Sequence, residues 1–228
     1  MPLTFTLPRE PAHLPVQIDV DRLVIAGWAG RDLHAIEHHI GELEAIGVPR
    51  PSSVPLFYRV ARNQITQATQ VEVVGAETSG EVEPLLFFHA GEMFVSVGSD
   101  HTDRRLETHS VALSKQACVK PVATAAWRMS DVADHWDDLT LRSWIEEGDR
   151  WVPYQEGRLS ALLAPADLLA RLAQGEPAPA EGFAMTCGTV PVIGGIRPAQ
   201  RFRMELADER DGQRITHEYL ATVLPVVA

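Results

Sequence analysis

Three acidic side chains stand at the two ends of one apolar stretch of the chain. Glu81 and Glu83 are separated by a single residue and precede the stretch, and Asp100 follows it. Carboxylate oxygens are hard ligands that suit Mg²⁺ or Mn²⁺, and Ca²⁺ as well. The three side chains therefore predict a divalent-metal site, provided that the fold brings them to one face.

The stretch from Leu85 to Val97 predicts the hairpin that would bring them together. It is rich in aromatic and β-branched residues, and an Ala-Gly pair interrupts it in the middle. A two-residue turn at that pair makes Glu81 face Asp100 on the partner strand. Strand side chains alternate between faces, so Glu83 lies on the same face as Glu81. Like charges that face each other destabilise a sheet pair, and a cation would compensate for them.

Two other interpretations of these residues stay open. Glu and Asp are usually exposed, so the cluster could be an ordinary solvated edge. Ala-Gly is also not the most favoured hairpin turn. A three-residue loop would place Asp100 opposite Val82 and would separate the carboxylates.

A family resemblance supports the metal interpretation. Proteins of the fumarylacetoacetate hydrolase superfamily carry an E-x-E pair and, about one hairpin later, an Asn-Asp-x-(Ser/Thr)-x-Arg-x-x-Gln run. This chain has Glu81-Val82-Glu83 and then SDHTDRRLE at residues 99–107. It resembles that superfamily here, and the resemblance implies that Glu81, Glu83 and Asp100 bind Mg²⁺ or Mn²⁺.

The same resemblance implies residues that contact the substrate. Arg104 matches the arginine of the run, whereas Ser99 replaces its asparagine and Glu107 puts an acid in place of its glutamine. Gly188 and Thr189 resemble the start of a Gly-Thr-x-x-Gly-x-Gly loop whose threonine and backbone amides contact a substrate carboxylate. Successive backbone N–H groups in a glycine-rich turn can hold an anion, so this role is chemically reasonable.

Basic residues at two further places match the family pattern. The segment VPLFYRV at 54–60 is similar to a Pro-x-Leu-Phe-x-Lys segment, with Arg59 at the lysine. The family also has a lysine that stabilises anionic intermediates, for which Lys115 is the candidate and Lys120 the second choice. A lysine beside a metal would stabilise a developing enolate, although most lysines are simply exposed.

A predicted helix carries a candidate for water activation. Arg31 to Ile46 has an apolar stripe at Leu33, Ile36, Ile40 and Leu43. His34 and Glu37 in this helix have the spacing of the superfamily's H-x-x-E motif, in which the glutamate orients the histidine as a general base. An i, i+3 pair lies on one helix face, so the geometry permits this role. Two solvated helix residues are an equally good interpretation.

Composition excludes several classes of protein. The net charge of −11 disfavours nucleic acid or an anionic membrane as the main partner. Two widely spaced cysteines form no disulfide framework, and no CxxC zinc pattern occurs. No signal peptide is evident and no apolar run is long enough to span a membrane. We expect a cytoplasmic protein with a small-molecule carboxylate substrate.

Strand patterns dominate the rest of the chain. They predict strands at 16–26, 71–74, 139–145, 151–155, 202–206 and 215–223, and a helix from Leu159 to Leu172. We therefore expect an α+β fold, mostly β. The resemblance implies the mixed β-roll with peripheral helices of the fumarylacetoacetase C-terminal domain. We expect one domain over residues 1–228, with residues 1–50 as a strand-helix segment packed on it. The resemblance also implies a homodimer.

The resemblance implies a divalent-metal-dependent hydrolase that cleaves a C–C bond of a small oxo-acid or dicarbonyl through a metal-stabilised enolate. Decarboxylases, hydratases and tautomerases of similar oxo-acids use the same enolate and ligands, so these reactions stay open. Hydrolysis of an amide-type C–N bond and a non-catalytic binding protein are the remaining alternatives.

Overall fold

The computed structural model describes residues 2–10, 15–45, 47, 49–175 and 178–227. Within these residues the structure is mostly β. The strands are β1 (Leu3–Phe5), β2 (Val16–Ile18), β3 (Arg22–Gly27), β4 (Leu56–Val60), β5 (Ile65–Thr66), β6 (Gln70–Val74), β7 (Thr78–Ser79), β8 (Val82–His89), β9 (Glu92–Ser99), β10 (Thr102–Asp103), β11 (Lys120–Pro121), β12 (Trp127–Arg128), β13 (Thr140–Glu147), β14 (Arg150–Arg158), β15 (Phe183–Thr186), β16 (Arg201–Asp208) and β17 (Gln213–Leu224). The predicted α+β fold, mostly β, is confirmed.

Short helices lie between the strands. The α-helices are α1 (Leu33–Ala45), α2 (Arg104–Glu107), α3 (Val111–Gln116) and α4 (Pro165–Leu172), and 3-10 turns lie at Arg62–Gln64, Met129–Asp131, Ala133–Asp138 and Leu159–Ala161. In the part of the chain that the structure describes, no helix is long and apolar enough to cross a membrane.

Two large mixed sheets form the body of the fold. One has the strand order β12-β9-β8-β15-β3-β4, and the other has the order β14-β13-β16-β17-β6. The pairs β15–β3 and β17–β6 are parallel, whereas the other neighbours are antiparallel. One core cluster joins residues of both sheets, such as Leu86 of β8, Leu141 of β13 and Met204 of β16. The sheets thus face each other across this core.

The six-stranded sheet is buried on both faces, which explains its long apolar strands. Leu86 and Val95 contribute to the core between the sheets, whereas Leu85 and Phe94 belong to a second cluster on the opposite face. The N-terminal segment covers that second face. Phe5 of β1 stacks on Phe87 of β8, with ring centroids 4.4 Å apart.

The hairpin of β8 and β9 has the predicted register. Glu83 pairs with Gly98, and Phe87 pairs with Phe94. The two turn residues, Ala90 and Gly91, have φ angles of 51° and 79°. Positive φ at both central residues is the geometry of a type I′ turn, whose twist matches that of the strands. The turn is therefore two residues long, as the prediction of the metal site requires.

The predicted helix at 31–46 differs from the observed α1 at its start. Asp32 lies before the helix, and its carboxylate accepts hydrogen bonds from the backbone N–H groups of His34 (2.9 Å) and Ala35 (3.1 Å). This capping begins the helix at Leu33. Leu33 is 62% exposed, so its prediction as part of the apolar stripe was wrong, whereas Ile40 is buried. The side chain of Leu43 and all of residue 46 lie outside the described residues.

The predicted helix from Leu159 to Leu172 was wrong over its first half. A 3-10 turn covers Leu159–Ala161, and α4 begins only at Pro165. Between them, the N–H of Leu163 donates to the carbonyl of Ala29, at 2.8 Å. Pro165 disfavours helical backbone in the residue before it, and its own missing N–H suits the first helical position.

The predicted strand at 16–26 is divided into two. β2 pairs with β1 at the N-terminus, whereas β3 pairs with β15 and β4 in the six-stranded sheet. The polar residues Asp19 and Asp21 lie in the interruption between them. The two strands therefore belong to different sheets.

Candidate metal centre

The open end of the β8–β9 hairpin brings three carboxylates together. Glu81 immediately precedes β8, Glu83 is its second residue, and Asp100 immediately follows β9. One oxygen from each side chain lies within 4.8 Å of the others. The N–H of Asp100 also donates to the carbonyl of Glu81 at 3.0 Å, which continues the hairpin register beyond the strands.

Two of the three carboxylates are deeply buried. Glu83 is 2% exposed and Asp100 is 0% exposed, whereas 13% of the Glu81 side chain is exposed. Burial of several carboxylates is costly unless cations compensate for them. The structure supplies such cations from three side chains, which are the lysines 115 and 120 and the arginine at 104.

Both candidate lysines contact Asp100. The Lys115 ammonium, at the end of α3, is bonded to one carboxylate oxygen of Asp100 and lies 3.6 Å from Glu81. The Lys120 ammonium lies 3.0 Å from the other oxygen and donates to the carbonyl of His101 at 2.6 Å. Lys115, the first candidate, and Lys120, the second, thus contact the same carboxylate.

Arg104 joins Glu81 to the rim of the cluster. Its guanidinium donates through Nη2 to Glu81 at 2.9 Å and through Nη1 to Glu107 at 2.9 Å. Its Nε donates to the Ser79 hydroxyl at 2.7 Å. Burial disfavours the charged form of Arg104, but the carboxylates of Glu81 and Glu107 outweigh burial and raise its pKa. The guanidinium is therefore held by three protein groups at once.

The electrostatic environment pushes the pKa values of Asp100 and Glu83 apart. Burial opposes ionisation of Asp100, but the ammonium groups of Lys115 and Lys120 outweigh it and lower its pKa to about 2. For Glu83, burial and the nearby charge of Asp100 raise the pKa to about 8. In the absence of a cation, Asp100 is therefore ionised at neutral pH, whereas Glu83 retains a proton.

The loop after β15 positions Glu83. The backbone N–H of Gly188 donates to Glu83 Oε2 at 2.9 Å, and the Thr189 hydroxyl donates to the carbonyl of Val82 at 2.8 Å. Gly188 has a φ of +90°, and a Cβ on it would lie 2.8 Å from the Cβ of Ala29. Only glycine fits this backbone conformation and this close approach.

Gln155 within β14 links the two sheets beside the site. Its Oε1 accepts from the N–H of Val82 at 3.0 Å and from the Ser143 hydroxyl at 3.0 Å. Its Nε2 donates to the Thr189 hydroxyl and to the Val190 carbonyl, both at 2.7 Å. This buried amide thus ties the strand next to Glu83 to the loop after β15 and to β13.

Three buried polar side chains form a hydrogen-bonded group next to the cluster. The Tyr219 hydroxyl lies 2.9 Å from the Ser99 hydroxyl and 2.9 Å from Nδ1 of His101. Ser99 Oγ accepts from the N–H of Glu81 at 3.3 Å. Burial lowers the pKa of His101 to about 3. His101 is therefore neutral and adds no charge to the site.

An aromatic pair lies beside Lys115. The ring of Tyr58 has its centroid 5.9 Å from the Lys115 ammonium, and the indole N–H of Trp28 donates to the Tyr58 hydroxyl at 3.1 Å. Trp28 has a φ of +59°, an uncommon backbone conformation for such a bulky residue. Neither residue was predicted from the sequence. The alternation of side chains within β4, which puts Tyr58 and Arg59 on opposite faces, was the signal that could have indicated Tyr58.

The remaining predicted site residues lie further out. Arg59 is exposed, on the opposite face of β4 from buried Tyr58. His34 and Glu37 are exposed on α1. Both carboxylate oxygens of Glu37 accept from the Arg50 guanidinium, at 3.2 and 2.9 Å. The contacts of Glu37 in this structure are thus with Arg50.

The residues at the cluster fit a hard divalent cation. The ligand set is all carboxylate, the three oxygens are mutually close, and burial together with the charge of Asp100 raises the pKa of Glu83. Glu81, Glu83 and Asp100 are the residues that would hold such an ion. Residues from both sheets and from α2 and α3 fix this ligand set.

Comparisons with known proteins agree with this architecture. A family described as "Protein of unknown function (DUF2848)" matches residues 26–219. The chain belongs to the DUF2848 family. None of the curated proteins compared with this DUF2848 sequence matches it significantly.

Solved structures place this DUF2848 protein among fumarylacetoacetate hydrolase folds. A yeast fumarylacetoacetate hydrolase family protein superposes with a TM-score of 0.65 at 14% identity, covering 92% of this chain and 96% of that one. A proposed fumarylpyruvate hydrolase from Burkholderia cenocepacia gives 0.64 at 18% identity, with coverages of 98% and 92%. The predicted fold, that of the fumarylacetoacetate hydrolase superfamily, is confirmed.

A third similar structure contains a metal. It is a 2-keto-3-deoxy-D-arabinonate dehydratase complexed with magnesium and 2,5-dioxopentanoate, with a TM-score of 0.64 at 16% identity and coverages of 92% and 75%. At these identities the likeness shows the fold, which is shared by hydrolases and by a dehydratase.

Proposed function

We propose that this DUF2848 protein is a divalent-metal-dependent enzyme that acts on a small oxo-acid or a related dicarbonyl. The observation that carries the proposal is the convergence of Glu81, Glu83 and Asp100 within 4.8 Å, largely out of solvent and beside two lysines. A solvated acidic edge would not bury these groups or surround them with fixed donors.

The three carboxylates would hold Mg²⁺ or Mn²⁺. When bound, such an ion supplies Lewis-acid polarisation of a substrate carbonyl and counters the charge of an enolate. Gly188 fixes the carboxylate of Glu83, and Gln155 fixes the strand on which it lies. These contacts hold the ligands before substrate arrives, which is the preorganisation that electrostatic catalysis requires.

Lys115 is the proposed electrostatic group of the reaction. Its ammonium is shared between Asp100 and Glu81, and burial is outweighed by these carboxylates, which raise its pKa. The lysine therefore stays charged and does not serve as a proton acceptor at neutral pH. Its charge would stabilise an anion that forms next to the carboxylates.

The resemblance implied that Arg104 contacts the substrate and that Thr189 contacts its carboxylate. In this structure the guanidinium holds Glu81 and Glu107, and the Thr189 hydroxyl holds a backbone carbonyl. We propose that Arg104 chiefly positions Glu81, and that the loop at Gly188 and Thr189 lies next to the bound oxo-acid.

C–C bond hydrolysis needs an activated water, for which His34 and Glu37 are the proposed residues. Because Glu37 bonds to Arg50 and His34 is exposed, hydrolysis would require α1 to approach the carboxylates and Glu37 to exchange its partner. This contact favours a second candidate: a decarboxylase, dehydratase or tautomerase, for which enolate stabilisation suffices without that pair. The similar structure of a dehydratase supports the same alternative.

A thermal-shift series on chelator-treated protein tests the metal site. Mg²⁺, Mn²⁺ or Ca²⁺ is added with and without oxalate, a mimic of an enolate. Ligands that bind only the folded state raise Tm. We expect Mg²⁺ or Mn²⁺ to raise Tm and oxalate to add to the increase only when metal is present. A Tm that is unchanged by every metal would refute the proposal.

Matched variants separate the roles of the residues. Asp100→Asn should abolish the metal-dependent shift, whereas Glu72→Gln, which changes an exposed carboxylate on β6, should preserve it. In a screen of oxo-acids, His34→Ala should abolish turnover if the reaction is hydrolysis and preserve it if the second candidate is correct. A homodimer and a cytoplasmic location stay predictions from the sequence.

A further inference from the structure

The cations of the metal centre are already paired with acidic groups of the protein. Lys115 and Lys120 contact Asp100, and Arg104 contacts both Glu81 and Glu107. Three donors of the arginine point at protein oxygens. Within the described residues, every cation that contacts the cluster therefore already has a carboxylate partner.

The charged groups of the site differ in how accessible they are to solvent. The side chains of Asp100 and Lys120 are 0% exposed, and that of Arg104 is 11% exposed. Glu107 is the most accessible member of the group, with 27% of its side chain exposed. The carboxylate of Glu107 is thus more accessible to a ligand from solvent than the guanidinium is.

We infer that Glu107 makes this site select oxo-acids whose remote end, away from the oxo-acid group, carries no carboxylate. This inference rests on the proposed function and adds a substrate class to it. Glu107 acts as a specificity-determining residue: it occupies Nη1 of Arg104 and places its own negative charge at the most exposed position of the charged group.

A ligand that carries a second carboxylate would bind more weakly for two physical reasons. Such a group would lie near the negative charges of Glu107 and Glu81, in a site where water screens charges poorly. It would also have to displace Glu107 from Arg104 before it could form a bidentate pair with the guanidinium. A single repulsion of this kind, partly screened, weakens binding by about tenfold.

The aromatic pair beside Lys115 agrees with an uncharged remote end. Tyr58 is 7% exposed, and its hydroxyl already accepts the indole N–H of Trp28. Trp28 is partly exposed, and its apolar ring surface favours contact with carbon atoms of a ligand. It supplies no positive charge for a second carboxylate.

A matched pair of ligands tests the inference. 2-Oxopentanoate and 2-oxopentanedioate have the same carbon chain and differ only in a terminal carboxylate. Calorimetric titration into the Mg²⁺-loaded protein should give a Kd for 2-oxopentanoate that is about tenfold lower. Glu107→Gln should reduce the ratio of the two Kd values by about tenfold, because the repulsion is removed. Glu72→Gln, with the same change of net charge, should leave the ratio unchanged.

The outcomes are distinct. If 2-oxopentanedioate binds the wild-type protein as tightly as 2-oxopentanoate, or if both bind and Glu107→Gln leaves the ratio unchanged, the inference is refuted while the proposed function stands. If neither ligand binds with metal present, the proposed function itself is refuted and the inference with it. The wild-type ratio decides the matter even if the variant is unstable.

Discussion

Asp100 and Lys115 form a buried charge pair, and this contact, together with that of Lys120, lets the metal-free protein tolerate a buried carboxylate. Both ammonium groups on Asp100 come from the short segment that includes α3 and β11. Removal of one partner of a buried pair leaves an uncompensated charge. The lysine also repels any cation that binds next to it.

We predict opposite effects of Lys115→Met on stability and on metal binding. The unfolding free energy of the metal-free variant should fall by about 3 kcal/mol, because Asp100 loses a buried partner. Affinity for Mn²⁺ should rise, because a positive charge next to the ligands is removed. Urea unfolding with chelator and calorimetric Mn²⁺ titration measure the two quantities. Weaker Mn²⁺ binding in a folded variant would contradict the assignment of the ligands.

Metal affinity should increase with pH because of Glu83. Its pKa is raised from 4.5 to about 8, so the metal-free folded protein holds a proton that the unfolded chain loses above pH 4.5. The stability that this proton contributes is present below pH 4.5 and is lost as pH rises through 8. A metal ion needs the carboxylate and must displace the proton. Between pH 6.5 and 7.5, Mn²⁺ affinity should rise by up to about tenfold.

Calorimetry in two buffers of different ionisation enthalpy measures the proton directly. About one proton should be released per Mn²⁺ at pH 7, and Glu83→Gln should remove this release. A Mn²⁺ affinity independent of pH in this range would show that Glu83 is already ionised, or that it is not a ligand.

At the scale of elements, the hairpin turn determines which carboxylates meet. Ala90 has a φ of +51°, a conformation that costs an L-residue other than Asn, Asp or Gly about 1 kcal/mol. Ala90→Asn should therefore raise the unfolding free energy by about 0.5–1 kcal/mol, because Asn-Gly is the preferred type I′ pair. Urea unfolding measures the gain. Mn²⁺ affinity should not change, since the register is kept; a loss of affinity would indicate a different turn.

The loop after β15 supports the site from a neighbouring strand. Gly188→Ala would force a Cβ to within 2.8 Å of Ala29 and would disturb the N–H that bonds to Glu83. We expect a loss of about 2–3 kcal/mol in unfolding free energy and weaker Mn²⁺ binding. Gly212→Ala is the control, because Gly212 also has positive φ, at +71°, but a Cβ there meets nothing within 4 Å. Equal losses in the two variants would refute the packing argument.

At the scale of the whole molecule, the N-terminal segment packs on the sheet that carries the site. Phe5 is fully buried against Phe87, and the strand of Phe87 also carries Glu83. The single domain predicted from the sequence requires that these parts unfold together. Phe5→Ala should destabilise the protein by about 3–5 kcal/mol and still give one transition.

Two probes test this cooperativity. Far-UV circular dichroism reports the sheets, and tryptophan fluorescence reports the core around Trp127 and Trp136. In the wild-type protein and in the Phe5→Ala variant the two transitions should coincide. An early transition confined to one probe would show that the N-terminal segment unfolds separately.

The pairing register of the site was predictable because it depends on local chain geometry. Strand side chains alternate with a period of two, and a two-residue turn leaves one pairing for Glu81 and Asp100. The order of motifs around these residues also predicted the fumarylacetoacetate hydrolase fold. Strand positions at 71–74, 202–206 and 215–223 were predictable for the same local reason.

Local pattern failed where tertiary contacts decide. The start of α4 depends on Pro165 and on a hydrogen bond from Leu163 to Ala29, far away in the chain. The exposure of Leu33 depends on which turn of α1 meets the core. Helical periodicity gives the apolar face of a helix but not how much of that face is covered.

The sequence by itself determined which carboxylates share a face, since that follows from residues on one hairpin. Only the tertiary structure decided which cations reach them. Lys115 and Lys120 both contact Asp100, and Arg104 is held by Glu81 and Glu107. Likewise, Glu37 bonds to Arg50, from beyond the end of its own helix. The ionic partners of long flexible side chains depend on spatial proximity and on the surrounding charges. Neither is encoded in the spacing of residues along the chain.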